Sequence, residues 1–264
     1  MGPDPERMRA VARRAASIGG QVVRTSVRTD AAAKGLPGDW VTEVDRASER
    51  AIGEFLRSTT PAIPIQGEEF GGVSQGVRWV VDPLDGTTNY VRGFWAVGVS
   101  VALVADETPI AGAVHAPFQG DLWHAGRGVG AEWERGADAA PCVVSDRAPA
   151  RAVVATGFPF RRKDRIPRYV AVFERALAAF EDLRRPGAAA LDLAWVACGV
   201  FEGFFELGLA PWDVAAGALL IRESGGLVTD WDGGPDVLSG SILAGSPAVH
   251  AELLRIAAAT RPGP

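Results

Sequence analysis

RWVVDPLDGTTNY, residues 78–90, carries the chain out of an apolar run and straight into two aspartates. Trp79, Val80 and Val81 read as a buried strand, being aromatic and β-branched in sequence. Asp82 and Asp85 then flank a Pro-Leu step, and Gly-Thr-Thr follows at once. Asp-Gly is a common turn pair, and proline before it helps the chain reverse, so this piece by itself reads as a turn. A turn alone does not explain two carboxylates at the end of a hydrophobic strand.

Working outward, FWAVGVSVALVAD (94–106) and PIAGAVHAP (109–117) read as further strands separated by a polar turn at Asp106-Glu107. AIPIQGEEF (62–70) reads as a short strand running into a loop. Upstream, DWVTEVD (39–45) opens a helix with Ala47, Ala51, Ile52, Phe55 and Leu56 on one side, stopping before Pro61. Asp4-Pro5 starts an earlier helix whose Met8, Val11, Ala12, Ala15, Ile18, Val22 and Val23 recur at helical spacing. The first half is therefore expected to be two helices beside a mostly antiparallel sheet. After roughly residue 145 the order changes to strand (ARAVVATG), helix (IPRYVAVFERALAAFEDL), buried helix (AAALDLAWVACG), strand (FEGFFEL), helix (WDVAAGALLIRESGG) and a last helix (SPAVHAELLRIAAAT) with Ser246 as cap. That alternation predicts a layered α/β second half, so the chain divides into 1–145 and 146–264.

With 264 residues, 47% of them hydrophobic, the chain can bury a large core. Its net charge of −5 argues against a general nucleic-acid or anionic-membrane binder. Arginines 7, 9, 13, 14 and 24 interrupt any N-terminal apolar run long enough for an export signal or a span. Two cysteines, Cys142 and Cys198, imply neither a disulfide framework nor a thiolate cluster, and a reducing cytoplasm fits best.

Carboxylates stand out at Asp45, Glu68-Glu69, Asp82, Asp85 and Asp213, and each has a plain structural reading. Thr42 and Asp45 are spaced as a capping box. Glu68-Glu69 suits a solvated loop, and Asp213 complements the dipole of the helix it opens. Jointly they say more, because Glu68, Asp82 and Asp85 lie at strand-to-loop transitions. Clustered carboxylates repel unless cations neutralise them, and an oxygen-only donor set suits Mg2+. His115, His124 and His250 are scattered without metal-ligand spacing, which argues against zinc. Gly86 lets backbone approach a ligand, and consecutive amides at a helix mouth bind anions. Metal beside an anion cradle points to phosphate chemistry.

GEE (67–69), WVVDPLDGTTNYVRGF (79–94) and PWDVAAG with ESGG (211–226) resemble the signature segments of the inositol monophosphatase family, within the lithium-sensitive, magnesium-dependent phosphatase superfamily. The likeness runs from Lys34 to SGGLVTDWDGG. It implies a five-layered alternating αβαβα sandwich of the sugar-phosphatase type, usually a homodimer, with two or three Mg2+ ions. Glu68, Asp82, Asp85 and Asp213 match the family's side-chain metal ligands, and Leu84 the residue giving a backbone carbonyl. Thr87, with Asp45 behind it, matches the pair that positions and helps deprotonate the attacking water, beside Glu68. The amides of Gly86 and Thr87 match the phosphate cradle, completed on the substrate side by Leu84, Asp85 and Asp213. Glu206 matches the acid that binds ring hydroxyls, and Gly187, Ala188 and Ala189 the loop beside the substrate. Two departures stand out. Ala188 replaces a frequent Ser or Thr, and Glu134-Arg135-Gly136 replaces an Asn-Gly turn, read as a hairpin variation without chemical meaning.

The resemblance thus implies hydrolysis of a small phosphorylated polyol such as inositol 1-phosphate without a phosphoenzyme. Histidinol phosphate, fructose 1,6-bisphosphate and phosphoadenosine phosphate are alternatives. No nucleic-acid or membrane partner is expected. A rival class is a binding protein that touches transcription machinery, with catalysis incidental.

Overall fold

The computed structural model describes residues 2–27, 32–33 and 40–260. Lys34 and Asp39, which belong to the family-like segments, lie outside the described residues. Helix α1 (Pro5–Thr25) starts where Asp4 accepts the Glu6 N–H and Pro5 takes the first helical position. Strands β1 (Ala32–Ala33) and β2 (Trp40–Val41) form a short antiparallel pair. Helix α2 (Glu43–Thr59) ends before Pro61, as expected, with the Thr60 N–H returning to the Leu56 carbonyl.

The first large sheet takes β3 (Ile65–Gly67), β4 (Gly71–Gly72) and β5 (Arg78–Asp85). After helix α3 (Thr87–Arg92) it gains β6 (Gly98–Ala105), β7 (Thr108–Ala116), β8 (Asp121–Gly126), β9 (Gly130–Arg135) and β10 (Asp138–Pro141). Its order is β10-β9-β8-β7-β6-β5-β3-β4, antiparallel throughout except where β3 runs parallel to β5. The second half follows as β11 (Val153–Thr156), α4 (Ile166–Ala179), β12 (Asp182–Arg184), α5 (Ala189–Ala197), β13 (Gly203–Leu207), α6 (Pro211–Glu223), β14 (Leu227–Thr229), β15 (Ser241–Gly245) and α7 (Pro247–Ala258). Its sheet runs β12-β11-β13-β15-β14, parallel around β11 and antiparallel around β15.

Three apolar cores stack these pieces into five layers. One joins Met8, Val11 and Ala15 of α1 and Ile52 and Leu56 of α2 to Val81, Val99 and Val101 of the first sheet. The second fills the space between the sheets with α5 and α6, through Leu191, Leu193, Val214 and Leu219. The third seats Tyr169 and Val172 of α4 and Val249 and Leu253 of α7 on the outer face of the second sheet. Because α5 and α6 are covered by a sheet on each side, they are nearly apolar all round, and neither shows an amphipathic stripe. Each fully buried Val, Leu or Ile contributes about 1.5–3 kcal/mol by leaving water. Helix α6 also depends on a missing side chain: a Cβ on Gly112 of β7 would lie 3.0 Å from the Ala216 Cα, so any larger residue there lifts the helix off the sheet.

Several sequence expectations need correction. The strand expected from Phe94 starts at Gly98, because Phe94 and Trp95 stand at the surface, in contact with each other. The helix expected to reach Leu183 stops at Ala179, and Asp182 to Arg184 pair with β11 instead. Ser246 does precede α7, yet its hydroxyl is buried without a partner and does not cap; its backbone N–H bonds Glu202 O and its carbonyl accepts the His250 N–H. The Glu134-Arg135-Gly136 segment is a hairpin, as expected, with β9 turning at Gly136 into β10, and its charged residues also hold neighbouring elements. Glu134, on β9, receives the Arg13 guanidinium and so fastens α1 to the sheet, and it faces His124 at 3.0 Å, while Arg135 grips Asp121 of neighbouring β8 at 2.7 Å.

Candidate active site

A regular strand turns successive side chains to opposite faces, so residues three apart should point away from each other. Strand β5 avoids this with a bulge. Asp82 pairs with Ser100 and Asp85 with Gly98, so three steps on β5 match two on β6, and one extra residue is taken up at Pro83-Leu84. Both carboxylates therefore face the layer of α5 and α6. Proline is tolerated there because a bulge gives up ladder hydrogen bonds. The Pro83 carbonyl accepts the Ser48 hydroxyl of α2 at 2.9 Å, and Asp82 Oδ1 accepts the Leu84 N–H at 3.0 Å, which fixes the kink.

The other carboxylates arrive from separate elements. Asp213 sits in the first turn of α6, where its Oδ2 accepts the Ala210 N–H at 2.7 Å. Asp85 Oδ2 accepts the Ala190 N–H from the first turn of α5, also at 2.7 Å. Glu68 follows β3 on a loop held from below by buried Glu49, whose carboxylate takes the N–H groups of Glu69 and Phe70 at 2.8 and 3.0 Å. A carboxylate oxygen from each of Asp82, Asp85 and Asp213 lies within 4.8 Å of the others. Glu68 Oε1 lies 3.7 Å from the Arg161 guanidinium.

Burial is the largest cause of the shifts here, with mutual repulsion second. It pushes Asp85 up to about 8, reinforced by Asp213 and opposed by the Ala190 N–H. Asp213 is pushed up to about 6, with Glu68 adding to burial. Asp82 is raised well above the ordinary range by burial and then by Glu68, Asp85 and Asp213. Oxygen donors that crowd and cannot all ionise alone are what a hard divalent cation relieves, so these residues fit Mg2+.

All the site residues singled out from sequence line one pocket of about 530 Å³, except Asp45. Asp45 stands behind Thr87. Its Oδ1 accepts the Thr87 hydroxyl at 3.0 Å, while its Oδ2 takes the Thr42 N–H at 2.8 Å to complete the capping box. Burial raises its pKa, and the bonds from Thr42 and Thr87 pull the other way. The Thr87 hydroxyl also lies 3.2 Å from the Leu84 carbonyl. Gly86, at φ 87°, ends the strand in a conformation that side chains resist, and a Cβ there would lie 2.9 Å from the Ala96 carbonyl. Glu206, on β13, lies against Gly157, where a Cβ would overlap its carboxylate at 2.0 Å. Burial and then Asp213 raise the Glu206 carboxyl well above its usual range.

The pocket holds residues that sequence reading missed. Asp192 of α5 is buried with its Oδ1 unpartnered, and burial, then Asp85 and Glu206, raise its carboxyl well above the usual range. Arg185 lies over the rings of Phe158 and Phe160, 5.2 and 5.6 Å from their centroids, and with Arg161 brings positive charge to an acidic pocket. Asn89 donates to Ala96 O and Pro186 O at 2.7 and 2.9 Å, joining the DGTTN segment to the loop before α5. The one signal available was the arginine pair that ends GFPFRR (157–162), separated from β11 by four residues, and it points to Arg161 alone. The histidines take structural places, with His250 bonded to Thr229 at 2.9 Å.

Fold and pocket together define a layered phosphatase fold with a buried acidic site, and the family's sequence profile matches residues 4–261: the chain belongs to the inositol monophosphatase family. Among its relatives is Nus factor SuhB of Escherichia coli K12, 40% identical over 257 residues and covering 92% of this chain and 93% of the relative. The inositol monophosphatase of Anabaena (Nostoc) sp. PCC 7120 superposes with a TM-score of 0.85 at 34% identity, covering 97% of each chain. The extragenic suppressor protein suhB of Bartonella henselae gives a TM-score of 0.86 at 35% identity, over 94% of this chain and 97% of that one. No described helix is long and apolar enough to cross a membrane.

Proposed function

We propose that this chain is a Mg2+-dependent phosphate monoester hydrolase acting on a small phosphorylated polyol, with inositol 1-phosphate the leading substrate. The observation that carries the reading is the convergence of Asp82, Asp85 and Asp213 within 4.8 Å, in a pocket that also holds Glu68, the backbone of Gly86-Thr87 and Glu206. Those carboxylates, with the Leu84 carbonyl, would hold the ions. Bound Mg2+ supplies charge neutralisation and Lewis acidity toward phosphoryl oxygens.

The chain's own residues do the rest. Thr87 orients an attacking water: its oxygen accepts the water's proton as its own passes to Asp45 Oδ1, 3.0 Å away. Asp45 can take that proton because its other oxygen is pinned by Thr42 and its pKa already lies above the ordinary value. The amides of Gly86 and Thr87 hold phosphoryl oxygens. Glu206 and the loop Gly187 to Ala189 receive the polyol, and Ala188 leaves hydroxyl recognition there to backbone. The cytoplasmic homodimer of the family belongs to the same proposal, as does a division into units 1–145 and 146–264; sedimentation and limited proteolysis test these.

Phosphate release from inositol 1-phosphate, histidinol phosphate, fructose 1,6-bisphosphate and phosphoadenosine phosphate, with Mg2+ and with EDTA, tests the reading. Mg2+-dependent turnover led by inositol 1-phosphate supports it, and turnover in EDTA or none at all overturns it. The Escherichia coli relative is named as a Nus factor, which favours a second reading as a binding protein. Stable capture of a protein partner by a chain that releases no phosphate would select that reading.

A further inference from the structure

The two cysteines lie on different layers and 56 residues apart in sequence, yet their sulfurs are 2.6 Å from each other. Cys142 follows β10 on the connector between the two sheets, and Cys198 closes the C-terminal end of α5. Both stretches of backbone are tied down. The Cys142 N–H bonds Ala131 O, the Val144 N–H bonds Ser224 O, and the Cys198 N–H bonds Ala194 O. Gly199, at φ 70°, packs its backbone on the connector, and a Cβ there would meet Ser145 N at 3.1 Å and Val143 O at 3.2 Å. Glycine at 199 is therefore what lets the end of α5 lie against residues 143–145. The sulfurs sit just under the surface: Cys142 is buried and Cys198 partly exposed, while neighbouring Val143 and Val200 are largely exposed.

We propose that Cys142 and Cys198 are a redox-active dithiol that closes to an intramolecular disulfide on exchange with a low-molecular-weight disulfide. The more accessible Cys198 thiolate attacks a sulfur of the external disulfide, forming a mixed disulfide and expelling one thiolate. Cys142, losing its proton to solvent, then attacks Cys198 Sγ and expels the second. Two protein thiols give up two electrons and two protons, and the external disulfide becomes two thiols. Cys198 suits the first role because it is the more exposed of the two, and the adjoining Cys142 thiol lowers its pKa, while Cys142 is raised. The bond would tie the connector to the helix whose opposite end, at Ala190, holds Asp85.

The test incubates the full-length Mg2+-loaded protein with oxidised glutathione and follows free thiols, intact mass, non-reducing peptide maps and Tm. Expected are loss of both thiols, a single 142–198 cross-link within one chain, and a Tm rise on the order of 10 °C that dithiothreitol reverses. Cys198→Ser should abolish the reaction, and Cys142→Ser should stop at a glutathione adduct on Cys198. Thiols that persist in the folded wild type, a stable adduct on it, or cross-links between chains would each overturn the proposal.

Discussion

Helices α2 and α6 begin in the same way and end up in different chemistry. Each carries an aspartate whose Oδ2 takes a backbone N–H three residues back, Thr42 for Asp45 and Ala210 for Asp213. The free oxygen of Asp45 meets a hydroxyl, whereas Asp213 meets the carboxylates of Asp82 and Asp85. Burial raises both and Glu68 adds to each, but its repulsion ranks next to burial at Asp213 and last at Asp45, where the hydroxyl and amide bonds from Thr42 and Thr87 oppose the rise more strongly. A capping role and a chemical role are therefore not rivals: the cap fixes one oxygen and so aims the other.

The strongest way to break this comparison is Asp213→Asn. Asn keeps an oxygen for the Ala210 N–H, so the helix start survives, but a charged donor is lost. Mg2+-dependent phosphate release should fall at least about 10^3-fold, beyond the 10–100-fold typical of an outer-shell partner. The EDTA-treated variant should melt above EDTA-treated wild type at pH 8, since one repelling charge is gone. Asp45→Asn should cost less, about 10^2-fold in kcat with KM little changed, because it removes only the proton acceptor behind Thr87. A loss at Asp45 as large as at Asp213 would erase the distinction between them.

A third measurement follows stability with pH. A carboxyl raised in the folded state binds its proton more tightly than in the unfolded chain. Its stabilisation is complete below the ordinary 3.8 and is lost as pH climbs to the folded value. In EDTA, the share from Asp213 should be gone by about pH 6 and that from Asp85 by about pH 8. Added Mg2+ should therefore raise Tm more at pH 8 than at pH 5, and an equal rise would contradict the shared site. The smallest effect belongs to Thr42→Ala, which removes the cap hydroxyl and its bond to Asp45 Oδ2 but keeps the Thr42 N–H that holds the same oxygen. It should cost about 1 kcal/mol, a fall in Tm of about 2–4 °C, with activity within a few-fold of wild type.

Sequence made the strongly patterned parts legible. The α1 stripe, the Thr42–Asp45 spacing and the nearly complete apolarity of α5 and α6 reflect one physical demand each, so local reading found them. Strands β8, β9 and β10 escaped because Asp121 to Pro141 mixes turn residues and charges with the apolar positions, and β10, the edge strand, is exposed along its length. Arg161, Arg185 and Asp192 escaped for another reason: they enter the pocket from the second half, and no spacing in sequence records that meeting. The thiol pair was invisible on the same ground. Ser246 failed differently, since a good capping residue in a capping position leaves its hydroxyl unbonded.

The kink at Pro83-Leu84 bears on how this segment can change. Whether Asp82 and Asp85 share a side depends on odd or even parity along the strand, so an insertion or deletion of one residue between them would swing Asp85 toward α1 and α2. Substitutions within Pro-Leu alter shape by degrees, but a change in length alters it all at once. The two-residue spacer should therefore tolerate new letters far better than a new count.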